Sequence, residues 1–165
     1  MTKRSAGLLV YRFTEPIDAG STPRAEALEV LIAHMGGPFW ARKDDAAWSI
    51  PKGEYEPDEE PLAAALREFE EEMGSPPPSA EEYLTLGEFR QSSGKIVTIF
   101  ATPGEFDVST FASNTFEMEW PRGSGRIQAY PEMDRAAWFS LEQAATKLVK
   151  GQLPVLAALQ SQLKM

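Results

Sequence analysis

The hexapeptide Arg67-Glu68-Phe69-Glu70-Glu71-Glu72 sets four carboxylates behind one arginine in a chain that is already acidic. Like charges three and four residues apart on a helix repel, each pair costing a few tenths of a kcal/mol. The run is therefore either a solvated charged face or a seat for something cationic. On a helix with Glu68 as reference, Glu71 lies about 60° to one side and Glu72 about 40° to the other, so these three share a face. Glu70 points elsewhere and is read as solvated. Several carboxylates and no softer ligand suit Mg²⁺ or Mn²⁺, ions that usually also contact substrate phosphates. Arg67, one step beyond Glu71, is placed to brace a carboxylate through a forked pair of hydrogen bonds.

A helix is required to present them. Leu62, Leu66, Phe69 and Met73 recur at i, i+4, i+7 and i+11 and make one apolar stripe beside the carboxylate face. Pro61 suits a first helical turn, and Asp58, Glu59 and Glu60 complement its positive end. Gly74 is a C-terminal stop, and Pro76-Pro77-Pro78 forbids continuation. The pattern predicts a helix over Pro61–Met73.

The spacing around this helix is specific. From Gly53, five residues lead to Glu59, seven more to Arg67-Glu68, then Phe69, one residue, Glu71-Glu72, one residue and Gly74. This resembles the Nudix box, the loop–helix–loop signature of the Nudix hydrolases, over residues 53–75. The departure is Ser75, where the signature has a bulky apolar residue. That position packs locally and leaves the metal ligands untouched. The resemblance implies an α/β/α sandwich with a mixed β-sheet. It also implies hydrolysis of a nucleoside diphosphate linked to another group, with one to three Mg²⁺ or Mn²⁺ ions. Glu68, Glu71 and Glu72 match the family's metal-binding carboxylates, and Glu68 is also a candidate to take a proton from water. Arg67 would orient a glutamate, Gly53 would let the loop backbone approach the metals, and Glu59 would be structural or an outer-shell group. Many members add a carboxylate just before a late tryptophan-bearing strand. Here Glu132, six residues before Trp138, is the favoured candidate, with Glu117 and Glu119 as rivals.

The remaining chain must supply sheet and second helical layer. Strand-like runs occur at Ser5–Phe13, Leu28–His34, Leu84–Phe89, Ile96–Thr102 and Asp134–Phe139. Helices are expected over Leu141–Lys150 and Pro154–Leu163. Glu15–Glu26 reads as a hairpin loop, Gly36–Trp48 as a second loop, and Gly104–Arg126 as a long irregular insertion near a site. Strands and helices mix without regular β–α alternation, so the class is α+β.

Composition narrows the function. A chain of 165 residues, 42% hydrophobic and 10% aromatic, is long enough for one domain with a proper core, expected over 1–165. With no cysteine, thiolate nucleophiles, disulfides and Cys-based zinc sites are excluded, which fits a cytoplasmic location. No apolar run approaches the roughly 20 residues of a membrane span, and Arg12 breaks the first apolar stretch, which reads as a strand rather than a signal peptide. The formal charge of −9 argues against a general basic surface for long nucleic acid. The single histidine, His34, is expected to be structural. No nucleophile-elbow pattern exists to partner it.

Substrate choice is less constrained. Lys52, in Trp48-Ser49-Ile50-Pro51-Lys52-Gly53, adds a charge where an extended polyphosphate would lie. This Pro-Lys-Gly lead-in resembles diadenosine polyphosphate and diphosphoinositol polyphosphate hydrolases, the former most of all. Aromatics that would stack on a base are Trp40, Trp48, Phe116, Trp120 and Tyr130, whereas Trp138 is expected in the core. Lys43, Arg90, Lys95 and Arg126 are unranked candidates for phosphates. Alternatives are nucleoside triphosphates, nucleotide sugars or the 5′ end of RNA as substrate, and a non-catalytic nucleotide sensor. The sensor reading is disfavoured because the box carboxylates are all present.

Overall fold

The computed structural model describes residues 4–15 and 24–165. Strand β1 (Arg4–Phe13) is its centre. One edge pairs in parallel with β6 (Ile96–Pro103), which pairs antiparallel with β5 (Leu84–Arg90). The other edge is divided. Val10–Phe13 pair antiparallel with β2 (Leu28–Met35), while Ser5–Gly7 pair antiparallel with β4 (Lys52–Glu54). Strand β2 therefore diverges from β1 halfway along. Beyond that point Ala33 and His34 pair with β3 (Trp48–Ser49), and the far edge of β2 takes β9 (Met133–Ser140). The result is a mixed sheet with the segment Trp48–Glu54 wedged between its two diverging strands.

The wedge is fixed by buried polar contacts. Leu8 N–H donates to the Pro51 carbonyl at 3.1 Å. Gln152, wholly buried, accepts from Ile50 N–H at 2.8 Å and donates to Ser49 Oγ at 2.9 Å. Gly7 allows the close approach: a Cβ there would stand 2.8 Å from both Lys52 Cβ and the Pro51 carbonyl oxygen.

Alternation along β1 sends Ala6, Leu8 and Val10 to one face and Leu9 and Tyr11 to the other. The first face packs against α1 (Pro61–Met73) through Ala64, Ala65, Phe69 and Met73. The second packs against α2 (Leu141–Lys147) and α3 (Leu153–Gln162) through Ala144, Val155, Leu156 and Leu159. This is the α/β/α sandwich of the α+β class read from the sequence. Helix α1 begins and ends where the sequence places it, with Pro61 in the first turn and Gly74 at φ +82° as the left-handed cap. Phe69 is fully buried, edge-on to Phe106 at 5.6 Å. Replacing it with alanine would cost about 3–5 kcal/mol, so the stripe locks the helix orientation and with it the carboxylate face.

Some elements depart from expectation. Helix α2 stops at Lys147, and a short 3₁₀ turn (Lys150–Gln152) joins it to α3. The Gly104–Arg126 stretch is not irregular throughout. It contains β7 (Thr115–Glu119), which pairs with β8 (Ile127–Pro131) as a separate two-stranded hairpin. Its short period-2 alternation puts Phe116 and Met118 on the more buried face and leaves Glu117 and Glu119 exposed. Much of the expected Glu15–Glu26 loop, residues 16–23, lies outside the described residues. No helix among the described residues is long and apolar enough to cross a membrane.

Candidate active site

Wedge and box helix meet at Glu72. Glu72 is 5% exposed, and its carboxylate accepts the Lys52 backbone N–H at 3.1 Å. Burial, with the nearby negative charges of Glu132 and Glu68, pushes its pKa up to about 8 against the pull of Lys52. The Lys52 ammonium is pushed down, first by its own burial. Both shifts favour neutral forms, as low polarity requires. Glu68 is also raised, by burial and then by Glu71 and Glu132, although Arg67 opposes the shift.

Gly53 makes room for this arrangement. A Cβ on it would stand 2.1 Å from both Cδ and Oε2 of Glu68, so no larger residue coexists with that carboxylate position. Arg67 holds the outer side. Its guanidinium donates to Glu59 through two parallel bonds of 2.9 and 3.0 Å, and Nη1 donates to Glu68 Oε1 at 2.8 Å and to Glu71 Oε2 at 3.4 Å. The arginine thus braces two of the aligned carboxylates while anchored to Glu59.

Glu132, just before β9, lines the same cavity as Glu72. Its N–H donates to the Asn114 carbonyl, and its carbonyl accepts from Gly36 N–H, each at 2.8 Å. Asn114 N–H and Ala112 N–H in turn donate to the Glu71 and Met73 carbonyls at the end of α1. One backbone chain of bonds therefore ties the Glu132 loop to the box helix. Burial and then Glu71 raise the Glu132 carboxyl. Of the three downstream candidates, Glu132 lines the cavity, whereas Glu117 and Glu119 occupy the exposed face of β7.

The carboxylates fit a hard divalent cation on chemical grounds. Glu68, Glu72 and Glu132 are driven toward neutrality first by desolvation and then by neighbouring carboxylates, Glu71 among them, a penalty that a cation relieves. In the structure they stand apart: among the described residues, no three histidine, cysteine or acidic side chains are gathered closely enough to hold an ion. Arg67 occupies part of the room between Glu68 and Glu71. Glu68, Glu71, Glu72 and Glu132 are the residues that would converge on one, with Gly53 supplying clearance for the backbone.

The cavity of about 290 Å³ beside Glu72 and Glu132 is also lined by Lys52, Trp40 and Phe116. A larger one of about 530 Å³, walled by Gln91, Ser92, Val149 and Lys150, shares Met35, Ser49 and Lys52 with it. The two are lobes of one cleft that meet at Lys52.

Two expected substrate contacts need comment. Trp48 is corrected: it is 3% exposed, with Nε1–H donated to Asp44 and its ring edge-on to His34 and Phe139. No face is left for a base, because β3 lies inside the wedge with both of its residues buried and the ring packed into the core cluster. Tyr130 lies on β8 with its ring 6.2 Å from that of Phe116. Of this pair Phe116 lines the cavity. Lys95 pairs with Glu54, and Lys43 sits over the Phe39 ring. His34 is fully buried between Asp134 Oδ1 and the Lys43 carbonyl, as a structural histidine should be. The role of Asn114 and Gly36 in placing Glu132 was not foreseen. Backbone relays leave no residue-type signal in a sequence.

Comparison with known proteins agrees with this fold. A NUDIX domain model matches residues 17–159. A stretch of 53 residues is 40% identical to the RNA pyrophosphohydrolase of Hahella chejuensis (strain KCTC 2396), spanning 32% of this chain and only 33% of that protein. Among solved structures, a binary complex of a C. elegans Ap4A hydrolase superposes with a TM-score of 0.57 at 21% identity, over 97% of this chain and 98% of that one. The NUDIX domain of Shewanella oneidensis NrtR, complexed with ADP ribose, gives 0.60 at 14% identity, over 99% and 89%. With the family model matching residues 17–159, most of its length, this chain belongs to the NUDIX domain family.

Proposed function

We propose that this protein is a divalent-metal-dependent hydrolase of a pyrophosphate bond in a nucleoside diphosphate linked to another moiety. The proposed substrate is a dinucleoside polyphosphate of the diadenosine tetraphosphate kind, a small molecule met by one domain in the cytoplasm. The observation that carries the substrate reading is the two-lobed cleft. Lys52 stands where the lobes meet, with acidic groups along one lobe only. A molecule with a head at each end of a phosphate chain fits that layout better than one with a single head.

Mg²⁺ or Mn²⁺, one to three ions, would be held by Glu68, Glu71, Glu72 and Glu132. Such ions lower the pKa of a water and neutralise charge on the phosphoryl group. The chain's own residues do the rest. Glu72 is held in place by the Lys52 N–H, and the Lys52 ammonium offers a cation to the phosphates. Arg67 fixes Glu68 by one oxygen, and we assign Glu68 to take the proton of the attacking water. A second reading, removal of pyrophosphate from a 5′-triphosphorylated RNA end, is favoured by the 53-residue likeness to an RNA pyrophosphohydrolase.

The test is metal-dependent turnover of a panel: diadenosine tetraphosphate, nucleoside triphosphates, a nucleotide sugar and a triphosphorylated oligoribonucleotide, with products separated by chromatography. ATP plus AMP from the dinucleotide is the expected result. Rapid cleavage of RNA ends or triphosphates with an inert dinucleotide overturns the substrate reading. Glu72→Gln, which keeps an oxygen for the Lys52 N–H, is expected to fold normally and to lose more than the roughly 10–100-fold typical of an outer-shell partner. Near-normal turnover by this variant at saturating Mg²⁺ would remove Glu72 from the ligand set.

A further inference from the structure

We propose that Trp40 and Phe116 are the walls of a nucleobase slot in the acidic lobe of the cleft. This rests on the reading of the protein as a nucleotide hydrolase and deepens it. Both rings line the cavity that holds Lys52, Glu72 and Glu132, and both are partly exposed. Among the described residues the larger lobe has no aromatic wall: Met35 and Val149 supply its apolar surface, and Gln91, Ser92 and Lys150 polar groups. Stacking is therefore available only in the smaller lobe, beside the groups that would bind phosphate.

Both walls are anchored before any ligand arrives. Trp40 sits in a loop closed by Trp40 N–H to the Gly37 carbonyl (3.2 Å) and Lys43 N–H to the Trp40 carbonyl (2.9 Å). The buried His34 ring holds the Lys43 carbonyl at 2.6 Å, and Asp44 is tied to both Trp48 Nε1 and the Lys147 ammonium. Phe39 meets the Trp40 ring edge-on at 5.0 Å. Phe116 projects from the β7–β8 hairpin onto the same loop. Gly37, at φ +93°, is so near that a Cβ there would stand 3.0 Å from Phe116 Cζ. A preformed slot spares the cost of ordering side chains on binding.

The test uses AMP, which has no anhydride bond to cleave, and ribose 5-phosphate as its base-free counterpart. Affinities come from calorimetry, with tryptophan fluorescence and saturation-transfer NMR of the base protons as second readouts. The wild type is expected to prefer AMP. In Phe116→Ala the AMP-to-ribose 5-phosphate preference should fall roughly 5- to 150-fold, the worth of one base–aromatic stack. Phe116→Tyr should restore it. Trp40→Leu should lower it similarly and abolish most of the fluorescence change. Ile127→Ser, at a 66% exposed position on the same hairpin, should leave it unchanged. The slot is overturned if the wild type shows no preference for AMP, if Phe116→Ala keeps it, or if Ile127→Ser loses it equally. A Phe116-dependent preference in a protein that cleaves no dinucleotide defeats the substrate reading and leaves the slot standing. Cleavage of the dinucleotide with a silent Phe116→Ala defeats the slot alone.

Discussion

The backbone N–H of Lys52 donates to Glu72 Oε2 across 3.1 Å, joining the end of the wedge to the most buried carboxylate of the box helix. The bond ties Glu72 to the sheet, because Lys52 itself pairs with Gly7 of β1. It also places a lysine side chain and an acidic one in the same cleft wall. The carboxylate face is thus registered against the sheet by a bond from the Lys52 main chain to the Glu72 side chain.

Gly53→Ala tests how closely the loop must approach. The added methyl group would stand 2.1 Å from Glu68 Cδ and Oε2. Those atoms end a flexible side chain, so Glu68 can swing away. Stability should change by roughly 1 kcal/mol or less, while turnover should fall as far as in Glu68→Gln. Combining the two changes should add little, since both remove the same carboxylate from its place. Additive losses in steady-state kinetics would show that Gly53 acts by another route.

Arg67 offers a contrast between charge and geometry. Its fork onto Glu59 and its bonds to Glu68 and Glu71 need a planar guanidinium. Side chains this exposed contribute little to stability, within about 1 kcal/mol. Arg67→Lys should therefore melt close to the wild type yet lose about 10–100-fold in turnover, as for other residues that orient ligands. A lysine variant with full activity would mean that charge alone suffices.

These relationships were legible in the sequence to different degrees. The α1 limits follow from Pro61, the apolar stripe and Gly74, and the structure has the same limits. That success is local, since caps and periodicity act within a few residues. The wedge was not legible, because Gln152 lies 102 residues beyond Ile50 and 103 beyond Ser49 and meets them only in the folded chain. Trp48 misled for a related reason: an aromatic beside a motif reads as a ligand contact until the distant residues that pack on it, here His34 and Phe139, are known. The β7–β8 hairpin was masked by its glycines and prolines, and the alternation of Thr115–Glu119 was too short to stand out.

Glu132 and Glu117 are separated by a single comparison. Both side chains are exposed, but Glu132 lines the cavity and feels Glu71 and Lys52, whereas Glu117 lies on the outer face of β7. Glu132→Gln should lower turnover at least about tenfold and raise the Mg²⁺ concentration needed for half-maximal rate. Glu117→Gln should change neither, as expected for a surface position. The reverse ranking would move the extra carboxylate to the hairpin.

Acidity should act oppositely on the metal-free and metal-loaded protein. Glu72 has its carboxyl raised from its ordinary 4.5 to about 8, so between those values the folded state keeps a proton that the unfolded chain has released. Metal-free stability therefore falls as pH rises through that window. Glu68 and Glu132, also raised, add in the same sense, while Lys52, lowered, opposes it as pH approaches its ordinary 10.5. Divalent ions require the deprotonated carboxylate, so binding expels that proton and apparent affinity climbs with pH, up to about tenfold per unit for each proton released. Scanning calorimetry with a chelator, near pH 5 and near pH 8, should show the higher melting temperature at the acid end. Titration with Mg²⁺ in two buffers of different ionisation enthalpy should show proton release near pH 7. Glu72→Gln should flatten the first dependence and abolish most of the second. A variant that preserves both would place the titrating group elsewhere in the carboxylate cluster.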